Sequence, residues 1–409
     1  MKCRHCASAL SLPFLDLGSA PPSNSYLTDT TLNAPEVWYP LRLLVCENCW
    51  LVQTEDHAGR DALFNDDYAY FSSFSSSWLA HAKSYVEAMQ QRFALGAQST
   101  VVEVASNDGY LLQYVQAAGV PCYGIEPTAS TAAAAKTKGI AVVERFFGVE
   151  LAQELAAQGR QADLTAANNV LAHVPDINDF VAGFAVLLKP QGVATFEFPH
   201  LQQMVQQCQF DTAYHEHYSY LSLTAVQRIF AANGLQVFDV QELPTHGGSL
   251  RVFAQRSDSG TQPLAHTVQQ VLQAEEAVGM RTPEFYGQFG AQSRRIAREL
   301  LSFLVSAAHA GHSIAAYGAA AKGNTLLNFA GVRPHLLPYV VDKNPAKKGK
   351  YLPGSRIPIV DEAQLRAQQP QYVLILPWNL QAEVMEQLAY IRDWGGRFVT
   401  AVPGLVVWP

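Results

Sequence analysis

The chain has 409 residues, 49% of them hydrophobic and 15% charged, enough apolar material for two or three domains at about 150 residues each. A formal net charge of −7 without clustered Lys and Arg gives no footprint for nucleic acid or for an anionic membrane surface. No basic leader with an apolar centre and no apolar run of about 18 residues occurs, so a cytoplasmic location with no membrane partner is expected.

The chain begins with a doubled C-x-x-C, Cys3-x-x-Cys6 and Cys46-x-x-Cys49, separated by a stretch that contains Gly18, Pro21 and Pro22 and reads as a loop. In a reducing compartment two pairs of one spacing make a tetrahedral structural Zn²⁺ site, which staples a segment too small to own a core. A disulfide pair or a redox couple does not explain the shared spacing, and four thiolates leave no position open for catalysis at the metal. His5 is surplus to the set, and Cys122 and Cys208 read as buried apolar residues. Residues 64–78, FNDDYAYFSSFSSSW, place six aromatic rings among serines, too many for a linker and too polar for a core helix. They suit a lid over a ligand, or a surface loop ending in helix capping at Ser75, Ser76 and Ser77.

From residue 101 to about 256 strand and helix signals alternate, with strands expected at 101–104, 122–125, 164–167, 192–198, 236–242 and 249–254. That order predicts a doubly wound parallel sheet with its ligands at the carboxyl ends of the strands. The stretch VVEVASNDGY runs from an apolar strand through small residues into a helix, with Glu103, Ala105, Asn107 and Gly109 in the slots filled by the E-x-G-x-G-x-G loop of class I methyltransferases. About 20 residues later a second strand ends in Glu126, a carboxylate able to accept both hydroxyls of a ribose. Asn168 and Asn169 leave a third strand toward the same cleft, shortly before His173.

The densest titratable cluster follows in DTAYHEHYSY, where Tyr214, His215, Glu216 and His217 suit general acid–base work. A polar loop whose histidines bond backbone carbonyls is the plainer alternative. H-E-H lacks the H-E-x-x-H zinc spacing. In PTHGGSLR, Arg251 stands near a Gly-Gly turn, which fits an anion site or a hairpin. Residues 262–309 read as a connector of one or two helices. A second Rossmann-like set is expected after it, with strands at 313–317, 339–342, 372–376 and 398–402. Its loop, GAAAKGNT, lacks the middle glycine of G-x-G-x-x-G and has Lys322 before the glycine rather than after it, so neither NAD nor ATP is expected there in the usual way. Lys322 at a helix N-terminus could still hold a diphosphate.

Taken in order, the paired C-x-x-C, DYAYFSSFSSSW, EVASNDGY, GIEPTAS, ANNVLAHVPD, FEFPH, YHEHYSYLS, THGGSLR, AYGAAAKGNTLLN and VDKNPAKKGKYLPG resemble the sugar C-methyltransferases of deoxysugar pathways over essentially the whole chain. The resemblance implies an α/β protein with a zinc-stapled N-terminal domain at 1–62, a class I methyltransferase domain for S-adenosylmethionine at 63–258, and a helical connector with a Rossmann-like nucleotide-sugar domain at 259–409. It implies carbon methylation of a nucleotide-linked 4-keto-6-deoxysugar, at C3 as first choice. His217 is the first candidate for the base, with Glu216 and Tyr214 beside it, His173 as second candidate, and Tyr68 touching cofactor and sugar. Glu103, Ala105, Asn107, Gly109, Glu126, Asn168 and Asn169 would bind the cofactor. Tyr70, His200, Arg251, Lys322 and Asn324 would bind the nucleotide-sugar, and Cys3, Cys6, Cys46 and Cys49 the zinc. A NAD-dependent nucleotide-sugar oxidoreductase and a non-catalytic zinc or nucleotide-sugar scaffold are the rival readings.

Overall fold

A computed structural model describes residues 1–57 and 71–409. Between the two cysteine pairs the chain does not run as a loop. β1 (Leu12–Ala20) and β2 (Tyr39–Val45) pair antiparallel, β2 pairs with β3 (Val52–Thr54), and β3 with β9 (Ser219–Tyr220) from far along the chain. The alternation in these strands is interrupted by proline, glycine and bulges, which hides it in the sequence. Such a small sheet cannot bury its own apolar face, and its neighbours do so. Phe14 stacks on Phe289 with ring centroids 4.5 Å apart and meets Tyr286 edge-on at 5.6 Å.

The central sheet contains β4 (Val101–Val104), β5 (Cys122–Ile125), β6 (Val142–Val143), β7 (Ala162–Asn168), β8 (Leu188–Pro199), β10 (Leu235–Leu243) and β11 (Ser249–Arg256). Their order is β10-β11-β8-β7-β4-β5-β6, parallel from β8 to β6, with β11 inserted antiparallel between β8 and β10. Helices cover both faces of the parallel part, so β4 and β7 are buried throughout or nearly so and read as short apolar runs. The strand order reverses at β4 and β7, and in a sheet of this topology the ligand crevice lies at the carboxyl ends of those strands.

Three helices, His266–Ala277, Pro283–Gly287 and Phe289–His309, form the connector rather than one or two. Thr282, Pro283 and Gly287 punctuate it. The third sheet orders β14 (Ile359–Val360), β13 (Val340–Val341), β12 (Ile314–Tyr317), β15 (Tyr372–Ile375), β16 (Arg397–Thr400) and β17 (Val406–Trp408), all parallel except β17. Where β12 ends, Gly318 has φ +91°, and a Cβ there would come within 2.4 Å of Pro377 Cδ. Only glycine lets the two strand exits approach this closely. No helix among the described residues is long and apolar enough to cross a membrane.

Candidate active site

The turn after β4 is strained in a way that exposes backbone. Ala105, Asn107 and Gly109 have φ of 59°, 48° and 76°, a region that residues with a Cβ seldom enter. Glu126 at the exit of β5 holds the turn open, its two carboxylate oxygens accepting the N–H groups of Asn107 and Thr128 at 2.9 Å each. Burial raises the Glu126 pKa, while those donors oppose the rise. Glu103 in β4 is wholly buried, and burial pushes its pKa well above the ordinary carboxylate value. Neither of its oxygens has a partner in hydrogen-bonding geometry among the described residues, although the Tyr110 phenol is close enough to ease ionisation. Asn168 at the end of β7 is 8% exposed and its Oδ1 is also unpartnered. Orphaned buried acceptors around an open turn fit a polar cofactor such as S-adenosylmethionine better than a plain core. Ser72 and Ser73 rest on the rim of this turn, their N–H groups donating to Asn107 Oδ1 at 2.9 Å and Asp108 Oδ2 at 3.3 Å.

Next to that crevice lies the histidine cluster. His217 is 9% exposed, and its Nδ1 donates to Thr212 O at 3.0 Å. A carbonyl only accepts, so the proton is on Nδ1, and Nε2 turns its lone pair to the Tyr214 hydroxyl 2.8 Å away. His173 donates likewise from Nδ1 to Glu216 O at 2.7 Å. Burial, and then the neighbouring His173, hold the His217 pKa well below 6.5; burial puts that of His173 at about 4. Both rings are therefore neutral imidazoles near pH 7. Glu216 accepts the N–H and the side-chain amide of Asn24 on Oε1, at 3.2 and 3.1 Å, and burial raises its pKa. His215 points elsewhere, to the carbonyls of Tyr39 and Pro40 at 3.2 Å.

The C-terminal sheet forms the opposite wall. Lys322 at the start of the helix Ala321–Phe329 donates to Asn379 Oδ1 at 2.8 Å and lies 4.7 Å from the Trp378 ring centre. The Trp378 indole donates to Asp211 Oδ2 at 2.8 Å. Burial raises Asp211 to about 6 against the pull of Lys322, and burial lowers Lys322 against the pull of Asp211. His246, with φ 56°, reaches Asn169 Nδ2 at 3.1 Å and packs on Trp78; burial, then Lys322, depress its pKa to about 4. Gly247 follows where a Cβ would meet Trp378 at 2.6 Å, so the Gly-Gly turn lets the two walls close on each other.

His217, His173, Tyr214, Glu216 and Lys322 therefore gather between the central and C-terminal sheets, with the Glu103, Ala105, Asn107, Gly109, Glu126, Asn168 and Asn169 set at the carboxyl edge of the central one. Other expected ligands are engaged within the protein. Arg251 pairs with Glu197 at 2.6 Å inside the sheet. His200 pairs with Glu275 at 2.7 Å, and Glu275 accepts the first N–H groups of the helix Leu223–Ala232. Asn324 donates to Ser23 O at 2.6 Å, while its buried Oδ1 has no hydrogen-bond partner among the described residues. Tyr68 and Tyr70 lie outside the described residues. Asp211, Trp378 and His246 were not singled out in the sequence. A polar Trp-Asn after an apolar strand and a histidine before Gly-Gly were the available signals.

At the exit of β13 Asp342 accepts the N–H groups of Ala319 and Asn344 at 2.7 Å each, as Glu126 accepts two N–H groups at the exit of β5. Cys3, Cys6, Cys46 and Cys49 place all four sulfurs within 4.8 Å of one another, a donor set suited to one tetrahedral Zn²⁺.

Three family models match successive parts of the chain: a zinc binding domain at residues 3–64, a methyltransferase domain at 78–240 and a C-methyltransferase C-terminal domain at 244–403. The C-methyltransferase NovU of Streptomyces niveus is 32% identical over 402 residues, 98% of this chain and 95% of that protein. Solved structures are more distant. The magnesium protoporphyrin IX methyltransferase of Synechocystis PCC 6803 with bound SAM is 15% identical with a TM-score of 0.36, covering 50% of this chain and 100% of that one. The 1,6-didemethyltoxoflavin-N1-methyltransferase of Burkholderia thailandensis is 14% identical with a TM-score of 0.37, covering 51% and 96%. With identity to a C-methyltransferase running nearly end to end, the chain belongs to the C-methyltransferase family, as an S-adenosylmethionine-dependent enzyme with a structural zinc-binding domain.

Proposed function

We propose that this enzyme methylates carbon next to the ketone of a nucleotide-linked 4-keto-6-deoxysugar, at C3, with His217 as the base. The observation that supports it most is the neutral, buried His217, its Nε2 lone pair fixed by the Nδ1 bond to Thr212 and facing the cleft group Tyr214. A carbon acid needs such a base close by. The ketone acidifies its neighbouring C–H; His217 Nε2 takes the proton, and the bonding electrons pass to the ketone oxygen as an enolate. Tyr214 then gives its hydrogen bond to that oxygen instead of to Nε2, and Glu216 adds a further polar contact. S-adenosylmethionine, when bound by Glu103, Ala105, Asn107, Gly109, Glu126, Asn168 and Asn169, supplies the methyl group that the carbon acquires. Lys322 at its helix N-terminus faces the negative nucleotide portion of the substrate.

The test incubates the enzyme with a panel of nucleotide-linked 4-ketosugars in heavy water. Solvent deuterium should enter at the carbon that is later methylated, and the product should gain one methylene in the presence of S-adenosylmethionine. Deuterium at C5 alone would move the reaction to the other side of the ketone. Cofactor binding with no label in any sugar would overturn the acceptor class.

A further inference from the structure

The zinc knuckle reaches both loops that bear the facing histidines. Arg4 stands between Cys3 and Cys6 with a side chain 5% exposed. Its guanidinium donates to Pro175 O at 3.0 Å, in the loop leaving His173, and to Thr54 O at 3.0 Å and Asp56 Oδ1 at 2.8 Å. It also lies 5.2 Å from the ring centre of Tyr218, the residue after His217. The same short strand continues the link at the backbone. Thr54 donates its hydroxyl to His217 O and its N–H to Tyr218 O at 3.1 Å, while Tyr218 donates to Ala172 O at 2.8 Å. At the other end the Arg4 N–H donates to Gln53 Oε1 at 2.9 Å, and Gln53 Nε2 to Cys3 Sγ at 3.3 Å. His5 and Asn178 add a second tie, Nδ1 to Oδ1 at 2.8 Å.

A guanidinium is a planar fork that holds two carbonyls at a fixed separation. Its backbone here is clamped by the turn that two metal-ligating cysteines close. We propose that Arg4 is a positioning residue, through which the zinc knuckle sets the approach of the His173 loop to the His217 loop. The proposal rests on reading His217 as the base with His173 packed beside it, and a displacement of about 1 Å at such a site can lower turnover 100-fold.

The full-length, zinc-loaded protein is tested as Arg4→Ala and Arg4→Lys, with the imidazole resonances of ¹³C-histidine-labelled enzyme assigned through His173→Asn and His217→Asn. Arg4→Ala should keep its zinc and its affinity for S-adenosylhomocysteine, shift the His173 and His217 resonances, and lower kcat by about tenfold or more with a smaller change in KM. Arg4→Lys, which restores one donor, should recover part of both the shifts and kcat. Unmoved resonances with zinc retained overturn the proposal, whatever the activity does. Should Arg4→Ala not fold, Arg4→Lys decides by the same readout. If the resonances move but His217→Asn keeps full turnover, the positioning stands and the assignment of the base falls.

Discussion

His173 and His217 meet edge to face with ring centroids 4.5 Å apart and planes at 64°, each donating from Nδ1 to a backbone carbonyl. Two neutral imidazoles so close cannot both take a proton easily. At most one of them is easily charged at a time, and under the proposed mechanism the bond between His217 Nε2 and Tyr214 makes His217 the base. His217→Asn should lower kcat by about 100-fold or more while S-adenosylhomocysteine still raises the melting temperature. Full activity in His217→Asn together with its loss in His173→Asn would exchange the two roles.

The same burial gives a pH signature. The His173 pKa falls to about 4 in the folded protein, whereas an unfolded chain titrates it near 6.5. The unfolded state then binds more protons between those values. The stability from a neutral His173 is complete above about 6.5 and is lost as pH falls toward 4. Buried acids such as Asp211, raised to about 6, act in the opposite direction, so the comparison must be between variants. From about pH 7 to pH 4.5, His173→Asn should lose roughly 2 kcal/mol less stability than the parent in denaturant titrations. Parallel curves would place His173 in contact with water.

Much of this arrangement could be read from the chain because its motifs are local. The β4 turn, the Glu126 strand end and the doubled C-x-x-C are each set by residues a few positions apart. The small N-terminal sheet was not legible, because β3 completes it only by pairing with Ser219 and Tyr220, and no periodicity reports a partner that far away. The Asp211, Trp378 and Lys322 group was hidden for the same reason: it exists only when two sheets meet. Arg251 shows the converse limit. A basic residue beside Gly-Gly fits an anion site or a core ion pair, and only burial beside Glu197 distinguishes them.

Arg251 accordingly yields a stability prediction. Glu197 is 1% exposed and is neutralised by Arg251, with His81 Nε2 also in hydrogen-bond contact at 2.7 Å. Arg251→Met strands that carboxylate in the sheet, and should cost about 3–5 kcal/mol in chemical denaturation, with KM of the folded fraction unchanged. A raised KM at full stability would make Arg251 a substrate ligand after all.

Removing one zinc ligand tests the knuckle directly. Cys46→Ser should abolish stoichiometric zinc in metal analysis and lower stability by on the order of several kcal/mol, since metal affinity is folding free energy in so small a module. Loss should be felt first in β1, β2, β3 and β9, as faster amide exchange. Undiminished zinc and an unchanged melting temperature would reduce the four thiols to core packing.

Lys322 separates binding from structure most sharply. Its ammonium lies partly buried against the Trp378 ring with Asn379 as acceptor, and burial lowers its pKa despite Asp211 nearby. A desolvated cation with so few partners contributes little to folding, so Lys322→Met should leave stability unchanged or slightly higher. Removing the cation should push Asp211 further above its present value of about 6. If the ammonium grips the negative nucleotide portion, the variant loses a charge-assisted hydrogen bond of about 1.5–3 kcal/mol, which is roughly 10- to 100-fold in KM for the nucleotide-sugar, with S-adenosylhomocysteine affinity untouched. A fall in kcat at constant KM would move Lys322 to the enolate oxygen, where its contact forms only in the transition state. Neither change would remove it from the site.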